Sequence, residues 1–193
     1  MKKQTTITII QPEAFIAAEV GPAIKSLIPA LRQAAEMDIQ LTKARDEAHP
    51  DHAVVEADQL FASAVNGDTT AERKLWDHGG RAGYAAKARE VYAVREAARR
   101  RAALGNLDLF LSFAEKAKPA VLRAGEKIQE QHRSILSALG EPAFDSEKWR
   151  TNIGVIIREL DRIEGLVRDG EGAAGLIGLP GFGFHEIVAG EAK

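Results

Sequence analysis

The sequence contains no cysteine among its 193 residues. A disulfide framework, a thiolate nucleophile and a thiolate metal site are therefore excluded. No apolar run approaches the about 20 residues of a membrane-spanning helix, and the short apolar run that follows Met1-Lys2-Lys3 is too short for a secretion signal. We therefore expect a protein of the cytoplasm, or of a particle assembled there, with no transmembrane segment.

An excess of charge of one sign is also absent. The chain has 26 Lys and Arg against 28 Asp and Glu, which gives a formal net charge of −2 at pH 7. This balance argues against a protein that coats nucleic acid and against general attraction to anionic lipid. Hydrophobic residues make up 45% of the chain, which is enough to bury a core in a domain of this size.

Motifs that would identify an enzyme are missing. Residues 46–49 spell Asp-Glu-Ala-His, as in a helicase box, but no GxxxxGK[ST] phosphate loop precedes them. No GxSxG elbow marks a nucleophile, and no paired Glu-x-x-His motifs supply a di-iron centre. We therefore expect a protein that is not an enzyme, with no catalytic residue, cofactor or metal site.

One cluster keeps an alternative open. Asp46, His49, His52 and Glu56 follow at spacings of three and four, which would let them hold a divalent metal if the intervening turn brought them together. Surface residues at a helix junction are the favoured interpretation. The alternative is a metal-dependent helical enzyme.

The strongest pattern lies in residues 69–139, which read as two long helices folded back on each other at Gly105-Asn106. Thr69 and Glu72 have the spacing of a capping box at the start of the first helix, and Pro119 lies inside the second. Small or apolar residues recur along the second helix at steps of three and four: Leu107, Phe110, Ala114, Ala117, Val121, Ala124, Ile128, Ile135 and Ala138. We therefore predict an all-α protein, an elongated helical bundle built on a long antiparallel αα-hairpin.

Shorter helices flank this pair. The first begins at Pro12 and is predicted to break at Gly21-Pro22, and Pro29 falls in the first turn of the next helix or at a kink in it. Asp51 is the predicted cap of a third helix, whose apolar positions are Ala53, Val54, Ala57, Leu60, Phe61 and Ala64. Asp145 or Ser146 caps a last helix with an apolar stripe from Trp149 to Val167, which is either a wall of the bundle or a coiled-coil surface. The glycines at 79, 80 and 83 indicate a kink or a close helix crossing in preference to a phosphate site.

Both ends of the chain differ from the helical middle. Residues 5–10 are almost all β-branched and favour an extended segment, in which Ile7 and Ile9 are candidate contact residues. The tail from residue 170 is rich in glycine yet apolar, so we expect it to be buried on its own bundle, on a neighbouring chain or in a lipid surface. Its candidate contact residues are Leu176, Leu179, Phe182, Phe184 and Ile187. We divide the chain into an arm (1–21), a helical bundle (22–169) and a tail (170–193).

Positive charge collects near the predicted hairpin tip. Arg95, Arg99, Arg100 and Arg101 precede the turn, and Lys116 and Lys118 follow it. Such a patch could bind nucleic acid or an acidic protein surface. Neighbouring glutamates dilute it and no aromatic residue is interleaved for base stacking, so a solvated, salt-bridged face is the favoured interpretation.

These patterns predict a structural or assembly protein that self-associates through its helical seam and terminal arms, as a homo-oligomer or in a larger assembly such as a phage particle. The first alternative is an adaptor or regulator that binds a partner protein or nucleic acid through the arginine-rich tip. The second is the metal-dependent enzyme.

Overall fold

The structure is a computed structural model that describes residues 11–142 and 144–177. In these ranges the chain forms nine α-helices and no strand, which confirms the predicted all-α class. The helices are α1 (Pro12–Ile24), α2 (Ile28–Glu47), α3 (Pro50–Val65), α4 (Thr69–Asp77), α5 (Gly80–Gly105), α6 (Leu107–Leu139), α7 (Ser146–Asp161), α8 (Ile163–Asp169) and α9 (Ala173–Ile177). The predicted extended segment with Ile7 and Ile9, and the tail beyond residue 177, lie outside the described residues.

The helices belong to two compact units. Of the described residues, the first unit comprises 11–35, 103–142 and 144–177, and the second unit comprises 36–102. The chain passes between them inside α2 and inside α5. The arm and tail boundaries at 21/22 and 169/170 stay predictions, and so does the antiparallel hairpin of α5 and α6.

Helix α6 is the centre of the first unit. Its predicted stripe is buried from Phe110 to Ile135, with Phe113 and Ala120 added to it, because α1, α7 and α8 all pack against this helix. Ala138 is exposed, so the stripe ends one turn earlier than predicted. Pro119 lies inside α6 without ending it, as predicted, and the helix ends at Leu139 with Gly140 in the left-handed conformation.

The predicted end of α1 at Gly21-Pro22 is wrong. Helix α1 continues through Pro22 to Ile24, and Ile16, Val20 and Ile24 are fully buried at successive turns. A proline inside a helix costs about 3 kcal/mol, and burial of these three side chains offsets it. Glu19 on the same helix adds ion pairs to α6, with Arg123 at 3.1 Å and with Lys127.

The remaining helices of the first unit close the core. Asp145 caps α7 by accepting a hydrogen bond from the Lys148 backbone N–H at 2.9 Å, as predicted. Arg162 separates α7 from α8, so the predicted single helix is two helices. The buried apolar side chains of both belong to one core with α6, which favours a wall of the bundle over a coiled-coil surface.

Local capping in the second unit differs from the prediction in two places. His49, and not Asp51, caps α3: its ring Nδ1 accepts a hydrogen bond from the Asp51 backbone N–H at 3.3 Å. Helix α4 begins at Thr69 as predicted, but its cap is Asp68, whose carboxylate accepts from the Thr70 N–H at 2.9 Å. A carboxylate accepts backbone N–H groups at least as well as a threonine hydroxyl, so Asp68 displaces the predicted capping box.

The helix predicted over residues 69–104 is interrupted. It is divided into α4 and α5 at His78-Gly79, where Gly79 and Gly80 both have positive φ angles of about 75°. A Cβ atom at Gly83 would overlap the carbonyl oxygen of His78, so the chain approaches itself closely here. The glycines therefore mark a break with a close approach, in agreement with the favoured interpretation.

The structure also bears on two further expectations, the position of Pro29 and the search for a transmembrane helix. Pro29 lies in the first turn of α2, where its missing N–H costs little. Among the described residues no single helix combines the length and hydropathy needed to cross a membrane; α1 and the stretch Ile28–Val65, with a bend of 103° between them, meet those criteria only as a pair.

Candidate interaction surface

The second unit buries little apolar surface. All of its residues are described, and the buried apolar side chains among them are Ala57, Ala71 and Leu75. Its large apolar side chains are mostly exposed: Met37, Ile39, Val54, Val55, Phe61, Val65, Trp76, Val91 and Val94. Of the apolar positions identified along α3, Ala57 alone is fully buried. An apolar surface of this extent is typical of an interaction site.

One concavity of this unit lies between α3 and α4, which pack against each other. We call it the α3–α4 groove. It has a volume of about 460 Å³ and is lined by Phe61, Ala64, Val65, Glu72, Leu75, Trp76, Gly80 and Arg81. Trp76 is 84% exposed and Val65 is 70% exposed. Consecutive residues of a helix point about 100° apart, so burial of Leu75 against α3 directs Trp76 toward solvent.

Charged groups lie at the edge of the groove. The Arg81 guanidinium carbon lies 5.1 Å from the centre of the Phe61 ring and the same side chain forms an ion pair with Asp58. Glu72 adds a carboxylate to the lining. An aromatic and aliphatic floor with a charged rim is the arrangement found at protein–protein interfaces.

The predicted arginine patch has a different organisation. Glu96 accepts hydrogen bonds from Arg45 at 3.2 Å, from Arg99 at 3.1 Å and from Arg100 at 2.9 Å. These hydrogen bonds lower the pKa of the Glu96 carboxyl to about 2, and the one from Arg99 has the largest effect. Partial burial acts in the opposite direction. Arg99 also lies 3.6 Å from Asp38, the one buried charged residue of this unit. We call Asp38, Arg45, Glu96, Arg99 and Arg100 the Glu96 network.

This network joins α2 to α5. Arg95 extends it by donating a hydrogen bond to the Ala44 carbonyl oxygen, whereas Arg101 is exposed. In the first unit, Lys116 donates to the Ser26 hydroxyl at 3.3 Å and Lys118 pairs with Asp161. Partner binding by these cations stays a prediction. The contacts described for Arg95, Lys116 and Lys118 are with groups of the same chain.

The candidate metal cluster does not converge. Asp46 pairs with Arg45 at 2.8 Å, and Glu56 pairs with Lys74 at 2.7 Å. Lys74, and then Tyr84, lower the pKa of the Glu56 carboxyl through hydrogen bonds. Within residues 11–142 and 144–177, no three or more His, Asp or Glu side chains are arranged to hold a metal ion. His49, His52 and Glu56 line one cleft of about 270 Å³ with His78 and Tyr84, whereas Asp46 is not part of that lining.

Residue 177 is the last residue of the tail that the structure describes. Leu176 is 2% exposed and belongs to the core of the first unit, so the start of the tail packs on its own bundle. Leu179, Phe182, Phe184 and Ile187 lie outside the described residues.

Sequence reasoning missed Trp76, Phe61 and Val65 as surface residues. The available signal was the pair Leu75-Trp76, because two adjacent apolar residues on a short helix cannot both face one partner.

Comparisons with known proteins return no match: no family model, no curated protein and no solved structure resembles the chain at a significant level.

Proposed function

We propose that this protein is a non-enzymatic assembly protein that self-associates, and that the α3–α4 groove is the surface through which it binds a second copy of the chain. The observation that carries this proposal is the 84% exposure of Trp76 beside Phe61 and Val65. Tryptophan is enriched among the residues that dominate binding energy at interfaces, and full burial of one large apolar side chain contributes about 1.5–3 kcal/mol.

The composition of the chain supports a second copy as the partner. A net charge of −2 on 193 residues gives little repulsion between copies. The apolar residues beyond 177 supply, on every copy, material chemically suited to an apolar groove. A component of a ring, tube or shell would use such contacts repeatedly.

The two alternative functions have weaker support. An adaptor that binds through its arginines would need those side chains to be available, and Arg95 and Arg99 donate to groups of the second unit. A metal-dependent enzyme would need Asp46 and Glu56 as ligands, and both form ion pairs.

Solution mass tests the proposal, with two matched valines as the variants. Val65 in the groove and Val94 on α5 are each 70% exposed in the second unit. We expect the wild-type mass, measured by light scattering, to rise with concentration. Val65→Asp should weaken association by about tenfold or more, because a charge must then be desolvated at the interface. Val94→Asp should leave association unchanged.

Circular dichroism establishes that both variants fold. A wild-type protein that stays monomeric at high concentration would refute self-association. Equal weakening by Val65→Asp and Val94→Asp would refute the assignment of the groove.

A further inference from the structure

We infer that the segment of residues 178–193 of a neighbouring copy occupies the α3–α4 groove, with Phe182 and Phe184 as its main contacts. This inference rests on the proposed self-association and names the element that carries it.

The chemistry of the segment matches the groove. Its large apolar residues are Leu179, Phe182, Phe184, Ile187 and Val188, and Glu186 is the one charged residue between 178 and 190. A segment with this composition gains free energy by leaving water, unlike a polar tail. In any extended segment, residues two positions apart share a face, so Phe182 and Phe184 can enter one groove together. Arg81 at the groove edge is a suitable partner for Glu186.

The segment starts from a fixed point. Leu176 is buried in the core of the first unit, and α9 ends at residue 177. At about 3.3 Å per residue, residues 178–188 can extend over roughly 35 Å. That length is sufficient to reach a surface on another molecule.

A second groove is a poorer match. It lies in the first unit, has a volume of about 600 Å³ and is lined by His132, Leu136, Pro142, Phe144, Asp145, Ser146 and Glu147. Two carboxylates and a hydroxyl in this lining would lose hydration against an apolar segment. The α3–α4 groove has one carboxylate in its lining and the exposed Trp76.

The contact has a consequence for assembly. Each copy carries one segment and one groove, which are different surfaces, so the interface is head-to-tail. Head-to-tail interfaces form rings where the rotation closes and open filaments where it does not.

Cysteine cross-linking tests the inference directly, because the chain contains no cysteine of its own. Full-length Val65→Cys and Phe184→Cys proteins are mixed and treated with a short bismaleimide. We expect a covalent heterodimer at a yield about tenfold above that of the control mixture of Val94→Cys and Phe184→Cys, because docking raises the local thiol concentration. Ile187→Cys replaces Phe184→Cys in a second mixture, in case loss of the phenylalanine weakens docking.

Three outcomes of this experiment would overturn the inference. They are equal yields with Val65→Cys and Val94→Cys, a cross-link of the tail cysteines to Leu136→Cys in the second groove, and a cross-link that forms only within one copy in the Val65→Cys/Phe184→Cys double variant. A wild-type chain that is monomeric refutes the proposed function itself. Self-association without the Val65–Phe184 or Val65–Ile187 cross-link refutes only this inference.

Tryptophan fluorescence gives an independent measurement. Trp149 is buried, so Trp149→Phe leaves Trp76 as the single reporter. Adding Phe182→Ser and Phe184→Ser in the full chain should raise acrylamide quenching of Trp76 by about twofold or more, since docking covers the indole. Unchanged quenching in an associated protein contradicts the inference.

Discussion

The two units of this protein are stabilised in different ways. In the first unit the stripes of α1, α6, α7 and α8 share one apolar core that includes the fully buried Phe110 and Phe113. In the second unit three apolar side chains are buried, and the Glu96 network joins α2 to α5. Helices with similar spacing of apolar residues are therefore buried along that face in the first unit and largely exposed in the second. A unit that buries few of its apolar side chains presents the rest to a partner.

The contrast also concerns what each unit can contribute to assembly. In the first unit the apolar stripe of α6 is buried, although four leucines outside the stripe are exposed, whereas α3 and α4 of the second unit keep Phe61, Val65 and Trp76 at the surface. The second unit therefore carries the candidate interaction surface, and the first unit carries the start of the segment proposed to bind it.

The largest expected effect tests the difference in burial. Phe113 is 1% exposed in the first unit and Phe61 is 47% exposed in the second. We expect Phe113→Ala to lower the free energy of unfolding by about 3–5 kcal/mol, through lost burial and a residual cavity. Phe61→Ala should lower it by less than about 1 kcal/mol. Urea unfolding of both proteins, followed by circular dichroism, measures this. An equal loss of unfolding free energy in the two variants would contradict the difference in burial between the two units.

A smaller effect tests the ionic contribution in the second unit. The Glu96 pKa is lowered from 4.5 to about 2, so the folded state favours the ionised carboxylate. Its stabilising contribution is complete above about pH 4.5 and is lost as the pH falls toward 2. Glu96→Gln should therefore lower the free energy of unfolding by about 1–3 kcal/mol near neutral pH, with the difference from wild type closing toward pH 2.

Glu90→Gln is the control, because Glu90 is exposed on the same helix. Urea unfolding at several pH values measures both variants. A deficit for Glu96→Gln that persists unchanged at pH 2, or an equal deficit for Glu90→Gln, would contradict the role of the network.

The smallest effect compares two helix glycines. A Cβ atom at Gly83 in the second unit would overlap the His78 carbonyl oxygen, whereas one at Gly154 in the first unit meets nothing within 4 Å. We expect Gly83→Ala to lower stability by about 1–2 kcal/mol, because the backbone must shift. Gly154→Ala should raise it by about 0.5–1 kcal/mol through helix propensity. Thermal unfolding measures both, and a stabilising Gly83→Ala would show that the close approach is unimportant.

Much of the fold could be predicted from local patterns. The start of α6 after Asn106, its end at Gly140, the Asp145 cap and the stripe from Phe110 to Ile135 all depend on neighbouring residues. The end of α1 could not be predicted, because packing of Ile24 against the core outweighs the local effect of Pro22. The cap of α3 was also missed, since histidine is an uncommon cap and Asp51 is a common one.

The candidate site was predictable only in part. The arginines were identified, but Asp38, which pairs with Arg99, and Arg45, which pairs with Glu96, each lie more than 50 positions from their partner in sequence, and no local pattern predicts these pairs. The apolar residues of α3 have helical spacing, which indicates that they share a face and does not say whether another element covers it.

The sequence by itself determined the all-α class, several helix boundaries and the absence of thiol chemistry, because these follow from residue type and spacing along a few turns. Only the tertiary structure decided which apolar stripes are buried, since burial depends on partners distant in the chain. That is why α6 became the centre of a core while Trp76 remained in solvent.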